Sequence, residues 1–346
     1  MINIVVISGF LGSGKSTFLR YLLAQPEFKG TQVIINEFGP ISVDHHLVHF
    51  AAERTHLLAG GCLCCAYRQD LPQILYPLLD TVRANKSRAS ACAPDIILET
   101  TGLADPVAIR HTLTADPVLR HQVRITKMLV TIDAAHFLSN LSQYPEVTAQ
   151  CVAADTFLIT KRDLVSEEAI AQIIAALTSI NPTASIAFLD HGVPDTDVTA
   201  LLASTNTGVE SSTAANLPEL PVTRHTESVR SATYTLPDDL DLDFFVTWFS
   251  LLIHRHGDKL LRVKGILAPP NATSPVLFQA LQHVIHEPEH IHLADATPTN
   301  TLVLITKDIL PETVSHSLTT LRDILDPKVP SATPLETDIV SRIAQQ

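Results

Sequence analysis

Ser8-Gly9-Phe10-Leu11-Gly12-Ser13-Gly14-Lys15-Ser16-Thr17 gathers glycines, a lysine and hydroxyls into one short window. Closely spaced glycines let successive backbone amides converge on phosphate oxygens, and the N-terminus of a following helix adds favourable potential. Lys15 then reaches the terminal phosphates, and the Ser16 hydroxyl can ligate magnesium. The spacing of Gly9, Gly14, Lys15 and Ser16 satisfies the phosphate-loop pattern of nucleotide-hydrolysing enzymes. Gly9, Gly12, Ser13, Gly14, Lys15, Ser16 and Thr17 are therefore candidate nucleotide contacts, with Lys15 also a candidate catalytic group. The competing reading, a chance glycine turn, is disfavoured by the apolar strand before the window and the apolar helix after it.

Two further segments extend that chemistry. Asp95-Ile96-Ile97-Leu98-Glu99-Thr100-Thr101-Gly102 is an apolar run closed by a carboxylate and then a glycine. Glu99 is suited to hold magnesium directly or through water, and the Gly102 amide to sense a γ-phosphate. Thr160-Lys161-Arg162-Asp163 follows another apolar run and is similar to the base-reading NKxD pattern of GTPases. A carboxylate at Asp163 can accept hydrogens from guanine N1 and the exocyclic amine, which favours GTP over ATP. Lys161 would lie along the base, and Thr160 stands where that pattern has Asn.

Cys62, Cys64 and Cys65 fall in the run Gly60-Gly61-Cys62-Leu63-Cys64-Cys65. Thiolates so close together can bend around one borderline cation, zinc first. Three of them seldom close a tetrahedron, so a fourth ligand such as water, Glu37 or a histidine is expected. Burial as small hydrophobes and redox chemistry are the competing readings. Cys92 and Cys151, isolated among apolar neighbours, read as core residues.

These candidates need a scaffold, and the sequence supplies one. With 346 residues and 46% hydrophobic content, the chain can bury a sizeable core and fill two domains. Its net charge of −12 argues against a nucleic-acid partner. The odd cysteine count argues against a secreted disulfide framework. No stretch approaches the roughly 18 apolar residues of a membrane span, and no basic leader precedes the first strand, so a cytoplasmic location without membrane contact is expected. Strands are expected at 4–8, 32–35, 96–99, 127–132, 156–160 and 185–188, and helices at 16–23, 71–82, 106–113 and 166–177. Uniformly apolar strands alternating with helices imply a doubly wound, mostly parallel α/β domain over residues 1–202. The polar stretch 203–226 reads as a linker. After it, strands at 228–236, 259–267 and 301–306 and helices at 241–254, 275–286 and 312–325 imply a smaller α+β domain over 227–346.

Taken together, GFLGSGKST at 9–17, NEFG at 36–39, GGCLCC at 60–65, ETTGLADP at 99–106 and TKRD at 160–163 resemble the CobW-type metal-chaperone GTPases, a branch of the P-loop GTPases. Gly257 to Leu267 extends the resemblance into the second domain. It implies a magnesium-dependent GTPase that binds zinc or cobalt through Cys62, Cys64 and Cys65, with Glu37 as a further ligand, and delivers it to a metalloprotein client. Nucleotide state would gate the metal, since residues 36–65 connect the phosphate loop to the Glu99 strand and are placed like a switch. Pro40 replaces the acidic residue that often follows NEFG, so it inherits no role. The chain opens at its first strand, so no N-terminal client-docking segment is expected. No arginine finger is evident, and slow intrinsic hydrolysis follows.

Alternatives are a metal-sensing switch that delivers nothing and a P-loop kinase acting on a small molecule. A homo-oligomer is compatible with the sequence. His45, His46, His49 and His56, and a second group of His283, His286, His290 and His292, read mainly as surface or hydrogen-bonded residues, the second group with room for a weak auxiliary metal site.

Overall fold

The computed structural model describes residues 1–36, 54–58, 63–85, 93–202, 229–270, 274–291 and 300–325. Its first sheet has the order β3-β2-β4-β1-β5-β6-β7-β8. The strands are β1 (Ile2–Gly9), β2 (Gln32–Asn36), β3 (Thr55–Leu58), β4 (Ile96–Glu99), β5 (Val123–Asp133), β6 (Thr156–Thr160), β7 (Ser185–Asp190) and β8 (Val193–Pro194). Every pairing is parallel except the terminal β7–β8 hairpin. The helices are α1 (Lys15–Ala24), α2 (Leu63–Asn85), α3 (Pro106–Ala115), α4 (Leu119–Gln122), α5 (Phe137–Gln143), α6 (Pro145–Ala153), α7 (Glu167–Ile180) and α8 (Val198–Leu202).

β1 shows why the strands read as apolar throughout. Ile4 and Val6 face one layer, with Leu71, Leu75 and Leu78 of α2 and Ile109 and Leu113 of α3. Val5 and Ile7 face the opposite layer, with Phe18, Leu19 and Leu22 of α1. A strand covered on both faces has no position left for a polar alternation. The helices start where local chemistry supports them: Asp105 accepts from the Val107 amide at the head of α3, and Ser166 caps α7.

The second sheet runs β12-β11-β10-β14-β9, with β13 also paired to β11, and is antiparallel. Its strands are β9 (Val229–Thr235), β10 (Leu260–Leu267), β11 (Val276–Leu281), β12 (Val284–Ile285), β13 (Glu289–His290) and β14 (Thr301–Lys307). α9 (Leu242–His256) and α10 (Pro311–Leu325) accompany it, and Phe245, Trp248 and Phe249 of α9 pack into its core with Phe278 of β11. The expected doubly wound domain with a smaller α+β unit is the observed fold.

One expected element is overturned. Residues 275–286 form the β11–β12 hairpin rather than a helix, turning at Gln282 with φ of 50°. Leu277, Ala280, Leu281, Val284 and Ile285 have the spacing of a helical stripe, but six residues of β11 pair with β10, and the ladder prevails over the local period. β3, β8, β13, α4, α5, α6 and α8 lie outside the expected elements, and α2 begins eight residues before the expected helix, at Leu63 rather than Leu71. The expected linker at 203–226 lies outside the described residues. Among the described residues no helix is long and apolar enough to cross a membrane.

Candidate functional site

The phosphate-loop residues lie where β1 ends and α1 begins. Gly9 has φ of 138°, and a Cβ there would stand 2.3 Å from Thr131 Oγ1 of neighbouring β5. Only glycine fits that crossing. The loop is held from within, since Ser13 Oγ donates to the Phe10 carbonyl at 2.6 Å and the Ser13 and Thr131 hydroxyls lie 2.6 Å apart. Gly14, left-handed at φ of 97°, opens α1. Lys15 Nζ donates to the Gly9 and Phe10 carbonyls, each at 3.0 Å, so its ammonium arches over the loop. A phosphate entering the loop offers that ammonium a charged acceptor in place of two carbonyls, which is the stronger bond.

Glu99, at the end of β4, is brought to the same place. Ser16 Oγ donates to Glu99 Oε1 at 2.7 Å, and Glu99 is 4% exposed. A hydroxyl and a carboxylate meeting beside a phosphate loop form a hard-oxygen donor set that fits magnesium. Gly102 follows, and a Cβ on it would stand 2.6 Å from the Leu11 amide nitrogen and 2.8 Å from Leu11 Cα. The Gly102 loop therefore lies backbone to backbone against the phosphate loop.

The base-motif residues close the far side. Thr160 Oγ1 is buried and points to the Ser13 carbonyl at 3.0 Å and the Ile132 carbonyl at 3.1 Å. Lys161 is left-handed, with φ of 55°, and its ammonium donates to Asp133 Oδ2 at 2.7 Å. Asp163 is exposed on a short turn, Arg162–Leu164, at the same edge of the sheet. Thr17 is exposed at the start of α1, and Gly192 of the β7–β8 turn packs against it.

Several contributing residues escaped the sequence reading. Asp133 ends the apolar run of β5 just as Glu99 ends β4, and that parallel was the available signal. Burial works to raise its pKa, but hydrogen bonds from Lys161 and His136 overcome this and hold the carboxyl below its usual range. Gln150 of α6, fully buried, donates to the Gly102 carbonyl at 3.0 Å and the Ala104 carbonyl at 3.2 Å. No motif marks it, since its role depends on a helix arriving from elsewhere in the chain.

Of the metal candidates, Glu37 and Cys62 lie outside the described residues, as do His45, His46, His49, His292 and Cys92. The backbone of Cys64 and Cys65 forms the first turn of α2. Because β1 to β4 are parallel, β3 ends at Leu58 on the edge of the sheet where the phosphate loop leaves β1 and Glu99 closes β4. The four candidate histidines that are described each have a partner: His56 faces Gln32, His283 meets Asp258, His286 meets Arg110 and His290 meets Ser274. Among the described residues no three metal-ligating side chains converge. Cys151 is buried and free, as expected, and burial raises its thiol pKa strongly.

Residues 3–188 match the family described as CobW/HypB/UreG, nucleotide-binding domain, and residues 229–322 match the cobalamin synthesis protein CobW C-terminal domain. The chain belongs to the CobW/HypB/UreG family. Within it, the chain is 28% identical to the zinc chaperone YjiA of Escherichia coli, covering 93% of this chain and 99% of the relative. It is 22% identical to the zinc chaperone CobW of Pseudomonas aeruginosa, covering 92% and 90%. The crystal structure of the Zn(II)-bound YjiA GTPase from E. coli superposes with a TM-score of 0.65 at 25% identity, over 93% of this chain and 99% of that one. This CobW/HypB/UreG-family protein is a P-loop GTPase with a second antiparallel domain.

Proposed function

We propose that this GTPase is a metallochaperone that binds zinc through Cys62, Cys64 and Cys65 and hands it to a metalloprotein client under control of the bound nucleotide. GTP is the substrate, and the zinc is cargo; cobalt is a secondary cargo of the same ligand chemistry. The observation that carries the reading is the common sheet edge: Lys15, Ser16 and Glu99 lie where β1 and β4 end, and parallel β3 ends at that same edge, four positions before Cys62 in the sequence. The names of the relatives above point the same way.

In this reading Lys15 leaves its two loop carbonyls for the β- and γ-phosphate oxygens, and the amides from Gly9 to Ser16 cradle the phosphates. Asp163 selects guanine, Lys161 covers the base, and Thr160 keeps the loop at the right height beneath them. Ser16 and Glu99 would hold magnesium, which when bound offsets charge on the β- and γ-phosphates. Gly102 donates its amide to the γ-phosphate and so reports hydrolysis along its own loop. Residues 36–65, strung between β2 and the first turn of α2, tighten or loosen the thiolates as that loop changes. Glu37 serves as a further ligand. The protein acts in the cytoplasm.

The test is a zinc titration of the protein with a GTP analogue, with GDP and without nucleotide, repeated with Ser replacing each of Cys62, Cys64 and Cys65. The reading expects affinity to differ between nucleotide states and to fall in each variant. Equal affinity in all three states sinks the coupling, and unchanged affinity in the variants sinks the ligand assignment.

A further inference from the structure

β12 and the residues after it meet α3, α4 and the start of β5 around a cleft of about 380 Å³ between the two domains. That size is within the range of small-molecule sites. The cleft borders the N-terminal end of β5, whereas the phosphate loop follows the C-terminal end of parallel β1, so the two lie at opposite edges of the sheet.

Three arginines from separate elements line it, Arg110 of α3, Arg120 of α4 and Arg124 of β5, facing His286, Glu287 and Glu289. This is a concentration of positive charge in a chain of net charge −12. Arg124 is partly neutralised, 3.3 Å from Glu289. Arg120 donates through Nε to His121 at 2.9 Å and, among the described residues, pairs with no carboxylate. Arg110 is 7% exposed; its guanidinium meets the His286 ring, and its Nε has no hydrogen-bond partner. The carboxylate within its electrostatic reach, Asp155, is bonded by Arg262 of β10. A buried guanidinium set against a second base is costly unless an anion joins it.

We propose that this interdomain cleft binds a small anion bearing carboxylate or phosphate groups, gripped by Arg110 and Arg120. Planar guanidinium forks match the oxygens of both groups. Glu287 opposes the ligand and sets a limit on its affinity.

Calorimetry tests this with the full chain saturated with magnesium and a non-hydrolysable GTP analogue, so that the β- and γ-phosphate positions of the phosphate loop are already filled. Succinate and inorganic phosphate are titrated separately, and the one that binds identifies the group recognised. Saturable one-to-one binding of at least one probe is expected, weakened about fivefold or more in Arg120→Ala, the order of one lost charge contact. Arg110→Gln should weaken it as well, and Glu287→Gln should tighten it. Arg120 and Glu287 are surface positions, so these two variants decide the matter even where Arg110→Gln fails to fold. No saturable binding of either probe at millimolar concentration, or unchanged affinity in both surface variants, overturns the site.

Discussion

The Thr160 hydroxyl lies 3.0 Å from the carbonyl of Ser13, so the first residue of the base-reading motif is also a strut of the phosphate loop. GTPases with Asn at this point have an amide to spend there, whereas this chain spends a single hydroxyl proton on two carbonyls, those of Ser13 and Ile132. Thr160→Val keeps the shape and removes the proton. It should cost about 1 kcal/mol of stability and about tenfold in affinity for a fluorescent GDP analogue. Unchanged affinity in a well-folded variant would separate the base motif from the loop.

Gly102 is expected to tolerate no side chain. The 2.6 Å approach of a Cβ to the Leu11 amide is against backbone, which has little room to give. Gly102→Ala should therefore lower the single-turnover rate of GTP hydrolysis by about tenfold or more, while GDP, which lacks the γ-phosphate, binds within about threefold of the parent. Equal losses for both nucleotides would show that the loop is merely unfolded.

Much of this site was legible because its residues are consecutive. The phosphate loop, the Glu99 strand and the Asp163 turn each declare themselves in a short run, and each sits at the carboxyl end of a parallel strand, where open α/β sheets bind ligands. What escaped was whatever depends on distant segments meeting. Gln150 reaches the Gly102 loop from a helix nearly fifty positions away, and Asp133 matters only because β5 and β6 are neighbours. The hairpin at 276–285 was misread for the same reason, since its pairing with β10 is a tertiary fact and its apolar spacing is a local one.

Arg262 of β10 fastens the second domain to the first. It donates to the Ala153 carbonyl at 2.7 Å, at the end of the helix that carries Gln150, and it pairs with Asp155. Burial would raise the Asp155 pKa, but Arg262, Lys264 and Arg110 lower it to about 2. A carboxyl whose folded pKa is depressed contributes stability above its unfolded value, near 4, and loses it as pH falls towards 2. Arg262→Met leaves that carboxylate buried without its main partner and should cost about 3 to 5 kcal/mol. Its acid unfolding midpoint, followed by circular dichroism, should move to higher pH. A midpoint that stays put would mean that Asp155 is not the group that holds the seam at low pH.

The Ser16–Glu99 contact yields the most discriminating expectation, because charge and position can be varied apart. Glu99→Gln preserves the size of the side chain and an oxygen for Ser16 to bond, but removes the negative charge. If Glu99 serves magnesium, the variant should need a higher magnesium concentration for half-maximal GTP hydrolysis and lose about a hundredfold in rate at fixed magnesium. Affinity for GDP measured in EDTA should hold or rise, since a buried carboxylate beside the phosphates repels them once no cation stands between. Ser16→Ala should shift the magnesium requirement in the same direction without that gain in EDTA, because it removes a ligand and no charge. Were Glu99→Gln to weaken GDP binding in EDTA, the carboxylate would be a prop for Ser16 and the phosphate loop, and the metal would have to be held by other groups.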